Sequence, residues 1–578
     1  MTVVRLLRGF LRPHARTLAV IVALVAVQAA GNLYLPSLNA DIIDNGVLVG
    51  DSGYIWRAGG VMLGVSLALS LVALLAVRLA SRVSMAVGAS VRESVYRRVL
   101  ALSEQELGRF GVPTLVTRNV NDVQQVQLFL QMVLNLLLLA VVTGGGALVM
   151  AVCYGPRLSL LVLVTLMVMA VIVAVMLLLV VPLFRSVQLK IDRLNRVVRE
   201  QVTGARVIRA FLRTGDAAAR YREVNDDMTR TALRANRVFA VVLPAMLGLV
   251  NLSSVGLTWF GGRLVGDGGM TFGDLTAVQI YILQVLLYLG IAVTVVILLP
   301  RAVASAERIT EVVQARPSTA DPGRPTVPQA VTGVVEFRDA SFGYPGSQRS
   351  VLAGLTFTVR PGRTTAVVGG TGSGKTTLLH LVLRFCEATG GTVAVNGVDV
   401  REQAAERLWA DIGLVPQTAF LFAGTVAENL RMAQPQASEG ELWHALDVAQ
   451  AVEFVAAMPG GLDALIEQGG RNVSGGQRQR LAIARAVLRR PRLYVFDDCF
   501  SALDPATEAR VRAALRVEAR DAAVLITTQR AATIMAADDI VVLDQGKVAG
   551  HGSHAQLIED CTPYREIVAA QLGAEAAT

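Results

Sequence analysis

Six long apolar runs fill the first three hundred residues and then stop. They cover residues 18–40, 58–77, 126–156, 158–184, 238–262 and 275–300, and no run holds an Asp, Glu, Lys or Arg. A membrane span needs roughly 20 apolar residues. A buried core helix accounts for any one run, but six in succession predict spans. The first is too long for a signal-peptide core and lacks a small-residue cleavage site ahead of a soluble domain, so it reads as a retained span. Residues 78–125 and 185–237 alternate apolar and charged positions and hold few prolines or glycines. They predict helical extensions of the spans into water. Tyr154-Gly155-Pro156-Arg157 predicts a tight turn on the opposite side.

Beyond residue 312 the pattern changes. Pro317, Pro322, Pro325 and Pro328 mark a linker over 313–332. Residues 333–578 then read as an α/β domain, with strands at 334–337 and 364–368 and a helix at 376–385. There is no internal repeat or low-complexity tract.

Composition supports this division. Hydrophobic residues make up 53% of the 578 and charged residues only 17%, and mean hydropathy is +0.51. A soluble chain of this length carries more charge. Formal net charge is +9, and its placement matters more than its sum. Arg5, Arg8, Arg12 and Arg16 precede the first run, and Arg193, Arg196, Arg199, Arg206 and Arg209 crowd the 185–237 segment. Asp41, Asp44 and Asp51 face Arg57 after the first run. Basic residues stay on the cytoplasmic side, which places both termini and both long polar segments inside. Basic residues that flank spans without interleaved aromatics argue against nucleic acid as a partner. Cys153, Cys386, Cys499 and Cys561 are scattered and suggest neither a disulfide framework nor a zinc site.

The chemistry sits in the last third. Gly369-Gly370-Thr371-Gly372-Ser373-Gly374-Lys375-Thr376, with Thr377 after it, fits a phosphate loop between a β-branched strand and a helix. Glycines there let backbone N–H groups converge on phosphate oxygens, and the helix N-terminus adds its dipole. Lys375 supplies a cation for the β/γ-phosphates, and the Thr376 hydroxyl and Asp497, at the end of an apolar strand, suit Mg²⁺. Ser474-Gly475-Gly476-Gln477 opens another helix and makes a second anion site of the same kind.

These motifs in this order, behind six spans, resemble the ATP-binding cassette (ABC) family, and specifically the half-transporter layout of its exporter-type members. The resemblance covers the whole chain and implies ATP and Mg²⁺ as cofactors. It implies that Ser474–Gln477 is a signature that closes over ATP held by a second cassette. Tyr344 matches the aromatic that stacks on adenine, and Gln417 the glutamine that reaches Mg²⁺ and the attacking water. Ser501-Ala502-Leu503-Asp504 matches the loop that crosses the cassette dimer. Residues 117–126 and 204–211 resemble the inner-loop segments that dock on cassettes.

Three positions depart from the family pattern. Asp498 stands where the family has a glutamate general base, one methylene shorter. Gln529 stands where a switch histidine meets the γ-phosphate. Gln468 holds the acidic position ahead of the signature, although Glu467 adjoins it. The first two describe a phosphate-loop site that holds ATP and hydrolyses it poorly, while the signature stays intact. The chain thus resembles the degenerate-site subunit of a bacterial heterodimeric multidrug or lipid transporter. That implies the inner membrane, a different partner chain, and a hydrophobic or amphipathic cargo. A homodimeric exporter and an ATP-gated, channel-like subunit are the alternatives. Asn32, Gln131, Asn135, Asn251, Gln279 and Gln284 lie within the runs, where polar groups either line a cavity or bond between helices.

Overall fold

The computed structural model describes residues 2–572, apart from Val331 and Gln348. It divides into two compact units, Met1–Arg98 with Pro113–Gln314, and Val99–Val112 with Ala315–Thr578.

The first unit is helical. A short α1 (Thr2–Leu11) precedes α2 (Ala15–Ile42), α3 (Ser52–Ala101) and, in the second unit, α4 (Glu104–Phe110). Next come α5 (Val112–Thr117), α6 (Val123–Met132) and α7 (Leu138–Tyr154), joined through π turns at Arg118–Asp122 and Val133–Leu137. The last are α8 (Ser159–Thr203), α9 (Ala205–Ala210), α10 (Thr214–Gly266) and α11 (Phe272–Gln314). Among the described residues five helical stretches are long and apolar enough to cross a membrane, and α8 adds a shorter apolar segment, Leu163–Met176. The α3, α8 and α10 helices run 50, 45 and 53 residues. At 1.5 Å per residue each far exceeds a bilayer core, as the mixed polar segments require.

Several polar residues of the runs bond between helices. Pro36 inside α2 has no N–H, so the Asn32 carbonyl loses its helical donor. Gln284 of α11 replaces it, donating Nε2 to that carbonyl at 3.2 Å. The Tyr281 hydroxyl donates to the neighbouring Leu33 carbonyl at 2.7 Å. Asn32 Nδ2 donates to the Tyr288 hydroxyl at 3.3 Å, and Gln279 bonds Ser254.

Residues 117–126 do not form a docking tip. They lie in the continuous α5–α6 helix, where buried Asp122 pairs with Arg308 at 2.5 Å and accepts from Ser305 at 3.0 Å. The chain turns earlier, at α4. Ser103 and Glu106 form a capping box at its start, and Gly111, with φ of 75°, ends it. The path also breaks within residues 204–211. There α9 interrupts the path from α8 to α10 and exposes Val207, Phe211 and Leu212.

The second unit is α/β. Its strands are β1 (Val335–Phe342), β2 (Leu352–Val359), β3 (Thr364–Gly369), β4 (Gly390–Val395), β5 (Val398–Asp399) and β6 (Ile412–Val415), followed by β7 (Gly424–Thr425), β8 (Leu465–Ile466), β9 (Leu493–Asp497), β10 (Ala523–Thr527), β11 (Asp539–Asp544) and β12 (Lys547–Gly552). The main sheet runs β12-β11-β3-β10-β9-β6. All its pairings are parallel except the β11–β12 edge. An antiparallel sheet, β2-β1-β4-β5, accompanies it. One apolar core holds Phe337, Phe357, Leu378 and Val495, and a second holds Leu446, Ile483, Tyr494 and Phe496. The alternation Tyr494/Val495/Phe496 sends successive side chains of fully buried β9 into opposite cores. Thus β9 is apolar throughout until Asp497.

Candidate functional site

In an open parallel sheet, ligands bind at the carboxyl ends of the strands. Here β3 ends in the glycine loop, β9 in Asp497, and its neighbour β10 in Thr527. The Thr376 hydroxyl, on the first turn of the helix Lys375–Val382, donates to Asp497 Oδ1 at 3.1 Å. Thr527 donates to the same oxygen at 2.7 Å. Two hydroxyls therefore fix the Asp497 carboxylate.

The loop itself needs glycine. Gly374 caps the helix with φ of 98°, in the left-handed region. A Cβ at Gly369 would lie 2.3 Å from the Leu543 carbonyl. Lys375 Nζ donates to the carbonyls of Gly369 and Gly370 at 2.9 and 2.8 Å. Burial lowers its pKa, against the pull of Asp498 and Asp497. Ser373 is buried and its hydroxyl has no partner. A glycine loop leading into a helix, an unpartnered buried hydroxyl and a half-buried ammonium suit a polyphosphate. Among the described residues no three His, Cys, Asp or Glu side chains gather as a metal cage. Mg²⁺ requires none, since it binds through one or two carboxylates plus substrate phosphates. The residues that would hold it are Thr376 and Asp497, with exposed Gln417 following β6. The Tyr344 hydroxyl lies 3.4 Å from that of Thr377, and its ring stands edge-on to Phe342 and 46% exposed, free to stack.

The next two residues of interest sit differently from what their types alone suggest. Asp498 has φ of 41°, a left-handed conformation that Asp and Asn tolerate best. Its N–H donates to the Thr527 carbonyl at 3.0 Å, and its own carbonyl accepts from Ser501 at 2.7 Å. Burial raises the pKa of its carboxyl, and Asp497 adds to the rise. Gln529 is exposed, and its backbone is clamped. The Gln571 side chain donates to the Gln529 carbonyl and accepts from the Ala531 N–H at 2.6 Å. Arg530 ties the same turn to the Ser501 carbonyl at 2.7 Å and to buried Glu508 at 2.5 Å. Gln571, Thr527, Arg530 and Glu508 had no motif to announce them.

A stability test follows from Asp498. Because its folded pKa lies above the ordinary 3.8, ionisation favours the unfolded chain. That penalty develops as pH rises from the unfolded value through the folded one, and persists above it. Asp498→Asn, which keeps the left-handed backbone, should raise Tm at pH 7.5 and leave it nearly unchanged at pH 4. Equal shifts at both values, or a loss at pH 7.5, would contradict the assignment.

The signature segment is built apart from these groups. Ser474 caps the helix Gly475–Leu488, and Ser474 and Gln477 form a reciprocal capping box with bonds of 2.9 and 3.2 Å. Ser474 and Gly475 are exposed. A Cβ on Gly475 would meet nothing within 4 Å. The helix N-terminus thus presents amides and a hydroxyl outward, as an anion site supplied from elsewhere requires.

Comparison with known proteins agrees with this construction. Residues 18–289 match the ABC transporter transmembrane region, and residues 352–501 match the ABC transporter family proper. An uncharacterized ABC transporter ATP-binding protein of Mycobacterium tuberculosis is 44% identical over 570 residues, covering 98% of both chains. A similarly named Bacillus subtilis protein, YfiB, is 31% identical over 567 residues, again 98% of both. A fatty acid ABC transporter ATP-binding/permease protein of Mycobacterium bovis is 33% identical over 445 residues, 77% of this chain and 70% of the other. With a helical membrane region and an α/β nucleotide-binding domain on one polypeptide, the chain belongs to the ABC transporter family, in the layout of its exporter-type half-transporters.

Proposed function

We propose that this chain is one half of a heterodimeric ATP-driven transporter of the bacterial inner membrane, with both termini cytoplasmic. In this reading Lys375, Thr376, Asp497 and Gln417 hold ATP and Mg²⁺, and Tyr344 stacks on the base. Ser474 and Gly475 complete the partner's site. The reading rests on one contrast within the cassette. The signature is capped and open, while the carboxylate and switch positions of the phosphate-loop site carry Asp498, on a left-handed backbone, and an exposed amide, Gln529. A base one methylene short and no imidazole leave this site able to bind ATP and slow to hydrolyse it. Losing a general base costs about 10²–10⁴ in rate.

Support for an apolar cargo comes from the first unit. Helices α8, α10 and α11 line a cavity of about 490 Å³ with Met169, Met176, Met246, Leu283, Leu286 and Ile291. Its one hydroxyl, that of Thr294, is already bonded to the Gly290 carbonyl at 2.9 Å. Such a wall takes alkyl or aromatic groups and holds no charged side chain for a small ion. The relative named for fatty acid is consistent with that class. The second unit adds an apolar groove of about 540 Å³ lined by Phe385, Trp409, Phe420, Phe422 and Met432. It suits an apolar inner-loop tip from the partner chain, of the kind α9 exposes with Val207 and Phe211. ATP-driven closure of the cassettes would reach the partner's spans by that route.

The test is the ATPase rate of the purified chain alone. It should be slow and rise steeply when the partner is added. Vigorous turnover by the lone chain would leave the homodimeric exporter as the correct reading.

A further inference from the structure

The amino terminus carries a surface outside the nucleotide and cargo sites described above. Helix α1 is amphipathic. On a 3.6-residue period, Arg5, Arg8 and Arg12 fall on one side, and Leu6, Leu7, Phe10 and Leu11 on the other. Leu7 is buried, and α1 packs on α11. A short 3-10 turn over Arg12–His14, with Pro13 inside it, joins α1 to α2. The arginine spacing of three, four and four continues through this turn to Arg16 at the start of the first span. All four arginines are exposed, and none makes an ion pair with a described residue. The first acidic residue of the chain is Asp41. Four exposed guanidinium groups without an ion-pair partner among the described residues thus fall within residues 5–16, beside an apolar helix face and the start of a span.

We propose that Arg5, Arg8, Arg12 and Arg16 form a binding strip for the phosphate groups of anionic phospholipid. An amphipathic helix with a basic polar face lies in the headgroup plane. Guanidinium meets phosphate with paired N–H donors. Attachment to both α11 and the first span keeps the strip at the membrane surface, where lipid phosphate is the abundant anion. Placement at the cytoplasmic leaflet rests on the topology proposed above.

The experiment uses the full chain, with its partner where the complex needs one. It is incubated with equal phosphatidylglycerol and phosphatidylcholine in detergent, and retained lipid is counted by native mass spectrometry. The wild type should prefer phosphatidylglycerol. R5Q/R8Q/R12Q/R16Q should lower that preference about fivefold or more, since one basic residue at an anionic surface is worth close to a factor of five. The all-lysine variant should keep most of it. R193Q/R196Q, on the other long polar segment, should keep all of it. Raising salt from about 0.05 to 0.5 M should erode the wild-type preference, a result that does not depend on any variant folding. An unchanged preference in the quadruple glutamine variant, or no response to salt, would overturn the proposal. Full displacement by millimolar inorganic phosphate would also overturn it, by revealing a free-anion site. With the four native cysteines replaced by serine, labelling of Gly9→Cys by an impermeant reagent from outside intact cells would refute the topology and leave the lipid result standing.

Discussion

In the proposed heterodimer, Gly475→Asp should abolish ATP hydrolysis while Lys375→Ala should leave much of it. The two substitutions fall on one chain but affect different sites. Gly475 has open space around its missing Cβ and lies on the first turn of a capped helix. An aspartate there puts a carboxylate where a γ-phosphate must approach, against the helix N-terminus that would otherwise hold it. Loss of a single preorganised donor at such a position costs on the order of 10²–10³ in rate, and an added negative charge costs more. In the heterodimer proposed above, the site affected is the partner's, the competent one. On the same proposal, Lys375 serves the slow site. Its ammonium already rests on two loop carbonyls, so its removal weakens phosphate binding without touching the competent chemistry. Hydrogen bonds to charged groups are worth roughly 1.5–3 kcal/mol, which corresponds to about tenfold or more in ATP retention. ATPase rate and nucleotide retention, measured on both variants with the partner present, separate the two effects. If Lys375→Ala lost more hydrolysis than Gly475→Asp, the asymmetry would be wrong.

The second large effect is a gain. With the partner's phosphate-loop site disabled, only this chain's site can turn over. Asp498→Glu alone should help little there. The longer side chain reaches further, but glutamate at φ of 41° sits in a conformation that costs an L-residue roughly 1–2 kcal/mol. Asp498→Glu with Gln529→His should give on the order of tenfold or more over the single change, against the 10²–10⁴ that a positioned base supplies. Groups acting on one water and one phosphate are non-additive. Equal rates for the single and double variants would move the defect elsewhere, to Gln468 or to the partner's signature.

Much of this is legible in the chain. The phosphate loop can be read because its glycines meet backbone needs that other residues do not, and because β9 is apolar until it ends in Asp497. The spans are legible because lipid accepts only long apolar helices. Other features are hidden for a physical reason. The left-handed backbone at Asp498 sits in a local turn closed by Ser501, but it also depends on a bond to Thr527, which lies on another strand. The Gln571 clamp joins residues 42 apart in sequence, and a glutamine near a chain end carries no pattern. Asn32 and Gln284 look alike as polar intruders in apolar runs. Only the fold shows that Pro36 frees one backbone carbonyl and that Gln284 fills it. The family pattern places the first docking tip at 117–126, yet the chain turns well ahead of it. The helix-start signal for that earlier turn, Ser103 followed three residues on by Glu106, stands in the sequence.

The position of α4 bears on how the polypeptide is made. Its segment, Val99–Val112, groups with the unit that otherwise begins at Ala315. During synthesis it leaves the ribosome before Ser318 and His380 exist. In the finished protein Ser318 donates its N–H to Glu106 at 3.3 Å, and His380 meets Glu104 at 3.2 Å. Until those arrive, the turn of helix has only the reciprocal bonds of Ser103 and Glu106 to hold its first amides. In the folded chain Glu106 bonds its late partner, Ser318, while still bonding its early one, Ser103. A gene cut just ahead of Ala315 would sever a cassette from a part of itself that was made first.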